Sequence, residues 1–110
     1  MRTATIYMIK CNTTNLTYYG STLQLFTFRK SGHKRDYKRW ANNFIKPNGK
    51  KATKTTACNV LKNNNYEFHI LEQFEIDERD KSKMIQKELD YILNNECVNR
   101  INPLTGKYLV

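Results

Sequence analysis

The chain has little of what usually staples or punctuates a fold. Its 110 residues include three cysteines, two prolines, four glycines and one tryptophan. Cys11, Cys58 and Cys97 are odd in number, far apart and without CxxC spacing. That excludes a disulfide framework and a cysteine zinc site, and it predicts free thiols in a reducing, intracellular compartment. No segment approaches the ~20 apolar residues of a membrane span, and no N-terminal apolar run resembles a signal peptide. There is no internal repeat and no low-complexity linker, so residues 1–110 are expected to form one domain. Acidic residues are scarce as well, 10 against 19 basic ones.

The resulting net charge of +9 bears on partners rather than on fold. A basic small domain favours polyanions, nucleic acid above all. A hydrophobic fraction of 39%, with seven tyrosines and five phenylalanines, is enough for one modest core.

Residues 4–10, Ala-Thr-Ile-Tyr-Met-Ile-Lys, are β-branched and aromatic and read as a strand. Cys11 to Asn15 is turn-forming, Leu16 to Gly20 resumes strand character, and Gly20 ends it. Tyr7 and Tyr18 then share a sheet face only if the turn holds an even number of residues, because side chains alternate with period two. Thr22 is placed to cap a following helix, on which Phe26, Arg29, His33, Tyr37, Trp40 and Phe44 recur along one narrow arc. Gly32 is a point where that helix can bend or split. Lys34, Arg35, Lys38 and Arg39 lie off the arc as a one-signed basic face, suited to phosphate contacts.

Pro47 to Lys51 reads as a turn. Thr53 to Lys62 reads as a short helix burying Ala57, Val60 and Leu61, stopped by Asn63-Asn64-Asn65. Tyr66 to Ile76 alternates as a half-buried strand, with Tyr66, Phe68, Ile70 and Phe74 on one face. His69 falls on the other, more polar face and reads as a surface histidine. A last helix, started by Asp77 or Asp80, runs to about Asn94 with a core stripe of Ile85, Leu89 and Ile92, widened by Met84 and Tyr91. Glu88 falls inside that apolar arc. A carboxylate so placed is costly unless it is ion-paired, with Arg29 for example, or bound to a cation. Cys97 to Asn99 reads as a short final element.

Phosphodiester cleavage needs a deprotonated nucleophile, charge stabilisation on the phosphate and a neutralised leaving oxygen. Tyr, Arg and Glu around one Mg²⁺ ion form a sufficient kit. In order and spacing, Thr5-Ile6-Tyr7, Tyr18-Tyr19-Gly20, Arg29-x-x-x-His33 and Glu88 resemble the signatures of the GIY-YIG endonucleases, across nearly the whole chain. The resemblance implies a small α/β (α+β) fold, a three-stranded antiparallel sheet flanked by helices. It implies DNA hydrolysis dependent on Mg²⁺ or Mn²⁺. By that resemblance Glu88 is the metal ligand and Arg29 the phosphate stabiliser. Tyr7 and Tyr18 are the signature tyrosines, one of them a general base, and His33 is a helper. Asn99 matches a late active-site asparagine, and Lys34 and Lys38 are candidate nucleic-acid contacts. Two positions depart from the pattern: Thr5 stands where glycine is usual, and Tyr19 where Ile or Val is usual.

Double-stranded DNA is the expected partner, with no membrane association. Dimerisation is left open, and a viral or phage source is compatible with so compact a member. The competing expectations are a non-catalytic nucleic-acid-binding module that keeps the fold, and a basic interaction protein for which neither metal nor nucleic acid matters.

Overall fold

The computed structural model describes residues 1–43, 45–51 and 55–109. Phe44 of the expected helical arc, and Thr53 at the expected start of the short helix, lie outside these residues.

Among the described residues three strands and three helices follow in the order β1 (Arg2–Cys11), β2 (Thr17–Thr22), α1 (Phe26–Ala41), α2 (Cys58–Leu61), β3 (Tyr66–Ile76) and α3 (Ser82–Asn94). The strands form one antiparallel sheet in the order β2-β1-β3, an α+β architecture as expected. β1 is the central strand, which accounts for its run of fully buried residues: Ala4, Ile6, Tyr7, Ile9 and Cys11. Burying each aliphatic side chain there contributes about 1.5–3 kcal/mol.

The β1–β2 hairpin pairs Tyr7 with Gly20 and Ile9 with Tyr18. Tyr7 and Tyr18 therefore lie on the same face, the arrangement that an even-numbered turn requires. Asn15 closes the turn at φ 62°, a backbone region that asparagine tolerates well. Gly20 does not end β2, which continues to Thr22. Thr22 does not cap the helix either. Its hydroxyl accepts from the Gln24 amide within a turn, and α1 starts after Leu25 without a side-chain cap.

The two faces of the sheet carry separate cores. Tyr7, Ile9 and Cys11 pack with Ala57, Val60 and Leu61 of the α2 region and with Phe26 and Tyr37 of α1. On the other face Ala4, Ile6 and Ile76 pack with Met84 of α3, flanked by Tyr91 and Phe74. β3 crosses between these environments because its register shifts against Ile6 and Tyr7, leaving Leu71 as the extra residue. The uninterrupted alternation expected for β3 is therefore broken. Phe68 faces α1, whereas Phe74 faces α3 opposite Ala4, and Ile70 is exposed. His69 is exposed, as expected, 3.0 Å from Glu67.

α1 is continuous through Gly32, and its only buried residues are Gly32 and His33. Such a polar helix is held less by an apolar stripe than by a few aromatic contacts and by the polar groups of the site. α2 is shorter than expected, a single turn. α3 begins at Ser82, and Asp80 accepts both the Ser82 amide and hydroxyl just ahead of it. Residues 97–99 form no strand. Instead they lie along the open edge of β2, where the Val98 amide donates to the Thr17 carbonyl and shields an exposed edge. Ile101 and Tyr108 pair in the C-terminal segment. Among the described residues no helix is long and apolar enough to cross a membrane.

Candidate active site

Tyr7 projects from the middle of β1 across Gly20. A Cβ at position 20 would lie 2.5 Å from Tyr7 Cζ and Oη, so the glycine is what lets the phenol lie over β2. The hydroxyl reaches His33 Nε2 at 2.7 Å and receives the Arg29 Nε–H at 3.2 Å. With the neutral His33 carrying its proton on Nδ1, the Tyr7 hydroxyl donates to Nε2 while its oxygen accepts from Arg29. Burial, reinforced by the Arg29 charge, lowers the His33 pKa to about 4, so the imidazole is neutral near pH 7. Burial raises the Tyr7 hydroxyl above its ordinary range, against the opposing pull of Arg29. The four-residue spacing of Arg29 and His33 puts both on one side of α1, above the two tyrosines.

Tyr18 lies on the same face, its ring edge-on to His33 at 5.5 Å between centroids. Burial pushes its hydroxyl strongly upward, and the charge of Tyr7 adds to this.

Glu88 comes from α3, beneath the opposite face of the sheet. It meets the others past the edge strand β2, where Ser21 Oγ donates to Glu88 Oε1 at 2.6 Å. Burial holds the carboxyl above its usual range, while Ser21 and the Arg29 charge work the other way. Glu88 forms no ion pair with Arg29 or any other described residue. A half-buried carboxylate steered by one hydroxyl and left without a cationic partner suits a hard cation. Mg²⁺ characteristically takes one or two carboxylates and fills its remaining positions with water and substrate oxygens. The donor set therefore fits a single such ion. No cluster of three or more His, Cys, Asp or Glu side chains occurs among the described residues.

Tyr18, Arg29, His33, Glu88 and Asn99 line one cleft of about 430 Å³. Tyr7 is buried behind this lining and is joined to it through its hydrogen bonds to Arg29 and His33. Asn99 faces this cleft, but its amide is tied to β2. Its oxygen accepts the Tyr19 N–H at 2.9 Å and its nitrogen donates to the Tyr19 carbonyl at 2.7 Å. The structure thus gives it a clear part in holding the wall. Lys34 and Lys38 are not in the cleft. They line a second groove on the other side of α1.

Asp36, Thr55, Thr56 and Arg100 also line the cleft and were not singled out from the sequence. Asp36 carried a usable signal, seven residues after Arg29 and three after His33. Arg100 and the threonines carried none, since only long-range packing brings them there. The two unusual signature positions have packing roles. Thr5 accepts from Gln73 Nε2 at 3.1 Å, and Tyr19 stacks on Tyr91 at 5.7 Å.

Set against protein-family models, curated proteins and solved structures, the chain matches none.

Proposed function

We propose that the protein is a divalent-metal-dependent endonuclease of the GIY-YIG kind, hydrolysing phosphodiester bonds in DNA. The observation that carries this reading is that Arg29 and His33, joined through the Tyr7 hydroxyl behind them, share one cleft with the carboxylate of Glu88, which has no ion-pair partner among the described residues.

In this reading Arg29 holds the scissile phosphate through the donors that Tyr7 does not use, and stays charged throughout. Glu88 would hold the metal ion, with Ser21 fixing the carboxylate. Mg²⁺ bound there supplies positive charge to the phosphate and the leaving oxygen. An attacking water forms the new P–O bond as the bond to the leaving oxygen breaks. Its proton passes to the Tyr7 oxygen while the Tyr7 proton moves to His33 Nε2, so the buried phenol never bears a full charge. Burial, with the Arg29 charge beside it, makes His33 a weak base at rest. A phosphate dianion-like transition state beside Arg29 offsets the smaller of these two causes and so raises the basicity of His33 as charge develops. Tyr18 packs against His33 and keeps the imidazole facing Tyr7.

Nicking of supercoiled plasmid in Mg²⁺ tests the reading. Wild type should cut, whereas Glu88→Ala and Arg29→Ala should each lose about 100-fold or more. If both substitutions cut normally, the assignment of the site is wrong. Salt-sensitive DNA binding with no cleavage under any divalent ion would identify a non-catalytic binding module instead.

A further inference from the structure

α1 stands between two concavities. On one flank Arg29, His33 and Asp36 face the cleft. On the other flank Lys34, Arg35 and Lys38 line a groove of about 530 Å³ completed by Leu61 and Tyr66. Among the described residues no carboxylate lines that second groove, and these three cations form no ion pair. The helix has six Lys or Arg against one Asp, and that Asp36 is on the cleft flank. Between this groove and the cleft, on the outward side of the helix, Phe28 is 66% exposed, with Arg35 and Ser31 exposed beside it at the edge of the basic groove. An ordinary solvated helix face does not need a one-signed groove on one flank and an exposed phenylalanine on its crest.

We infer that α1 is a ridge that enters the major groove of duplex DNA, with the cleft at one backbone and the basic groove at the other. The inference rests on the nuclease reading for the polyanion and adds how it is held. An α-helix with its side chains is about 10–12 Å across, and the B-form major groove is about 12 Å wide. Arg29 on one flank and Lys34 and Lys38 on the other are then placed for phosphates of opposite strands. The crest meets base edges, where Arg35 suits guanine and Phe28 suits a thymine methyl. The deep, narrow major groove of A-form RNA does not admit a helix, so duplex DNA is the selected class.

The test is binding in EDTA, followed by fluorescence anisotropy, with duplex DNA, duplex RNA and single-stranded DNA of one sequence, together with dimethyl sulfate footprinting. Duplex DNA should bind about tenfold or more tighter than duplex RNA, with guanine N7 protected from methylation. The double variant Lys34→Ala/Lys38→Ala should weaken duplex binding about tenfold and lower the log–log salt slope by about two. Arg79→Ala/Lys81→Ala, which removes two cations from the loop before α3, should change binding less than threefold. Equal affinity for duplex RNA, unprotected N7, or equal losses in the two double variants would overturn the inference. Metal-dependent cleavage that survives such a result leaves the nuclease reading standing. N7 protection without any cleavage sinks that reading alone, and absence of nucleic-acid binding sinks both.

Discussion

Gly20 lies directly opposite Tyr7 in the hairpin, and the phenol ring occupies the space that any side chain at position 20 would need. A Cβ there would meet Tyr7 Cζ and Oη at 2.5 Å, on a ring that is buried and tied to both Arg29 and His33. Gly20→Ala is therefore expected to cost about 1–3 kcal/mol by overpacking. It should also displace the Tyr7 hydroxyl from His33. In a double-mutant cycle with Tyr7→Leu, measured by urea unfolding, the two changes should couple by about 1 kcal/mol or more. Additivity would show that the ring is free to move aside.

Tyr7→Phe and His33→Ala interrupt the same proton path. Each should lower the cleavage rate about 100-fold, and the double variant should be little worse than either single one, because the residues act as a unit. Single-turnover kinetics on a nicked-plasmid assay checks this. Multiplying losses would mean that the two side chains act separately.

Acid stability should report the buried histidine. His33 titrates at about 4 in the folded protein against 6.5 unfolded, so the unfolded chain binds more protons between those values. Stability present above pH 6.5 is lost as the pH falls towards 4, by about 3 kcal/mol in all. His33→Gln should flatten that slope in urea unfolding measured from pH 4 to 7. Persistence of the full slope in the variant would assign it to other groups.

Glu88 acts in the opposite sense. Its folded pKa is raised by burial, so its contribution is full at low pH and is lost as the pH rises through the folded value. At neutral pH the ionised carboxylate is a strain that a neutral amide lacks. Glu88→Gln should abolish cleavage while raising Tm by about 2–6 °C at pH 7.5 without divalent ions. A lowered Tm would show that the carboxylate is structurally required. Calorimetry with added Mg²⁺ should also show stabilisation of the wild type that the variant lacks.

Asn99 is expected to matter for the cleft wall. Asn99→Ala removes two hydrogen bonds to the Tyr19 backbone, 80 residues away in sequence, at a cost of about 1–3 kcal/mol. Hydrogen exchange at the Tyr19 amide should accelerate in this variant. Protection equal to the wild type would indicate that another group replaces the side chain.

Local pattern determined most of the fold. Alternation in 4–10 and 66–76 makes strands, and the three- and four-residue spacing of Met84, Ile85, Leu89 and Ile92 makes an amphipathic helix on which Glu88 stands out as the acid in an apolar arc. The spacing of Arg29 and His33 likewise placed both on one side of α1. These are short-range properties, dictated by backbone geometry within a turn or two. Tertiary structure alone decided the hairpin register that puts Tyr7 over Gly20. It also decided the shift at Leu71 that turns Phe74 to the far side of the sheet, and the start of α1 at Phe26 instead of after Thr22. The meeting of Glu88 with Arg29, His33 and Tyr18 is of the same kind. Glu88 leaves one face of the sheet and the others leave the opposite face, and they meet only because β2 is an edge strand. Such contacts join residues tens of positions apart, and their energy comes from burial and hydrogen bonding across the whole domain, which no window of sequence contains.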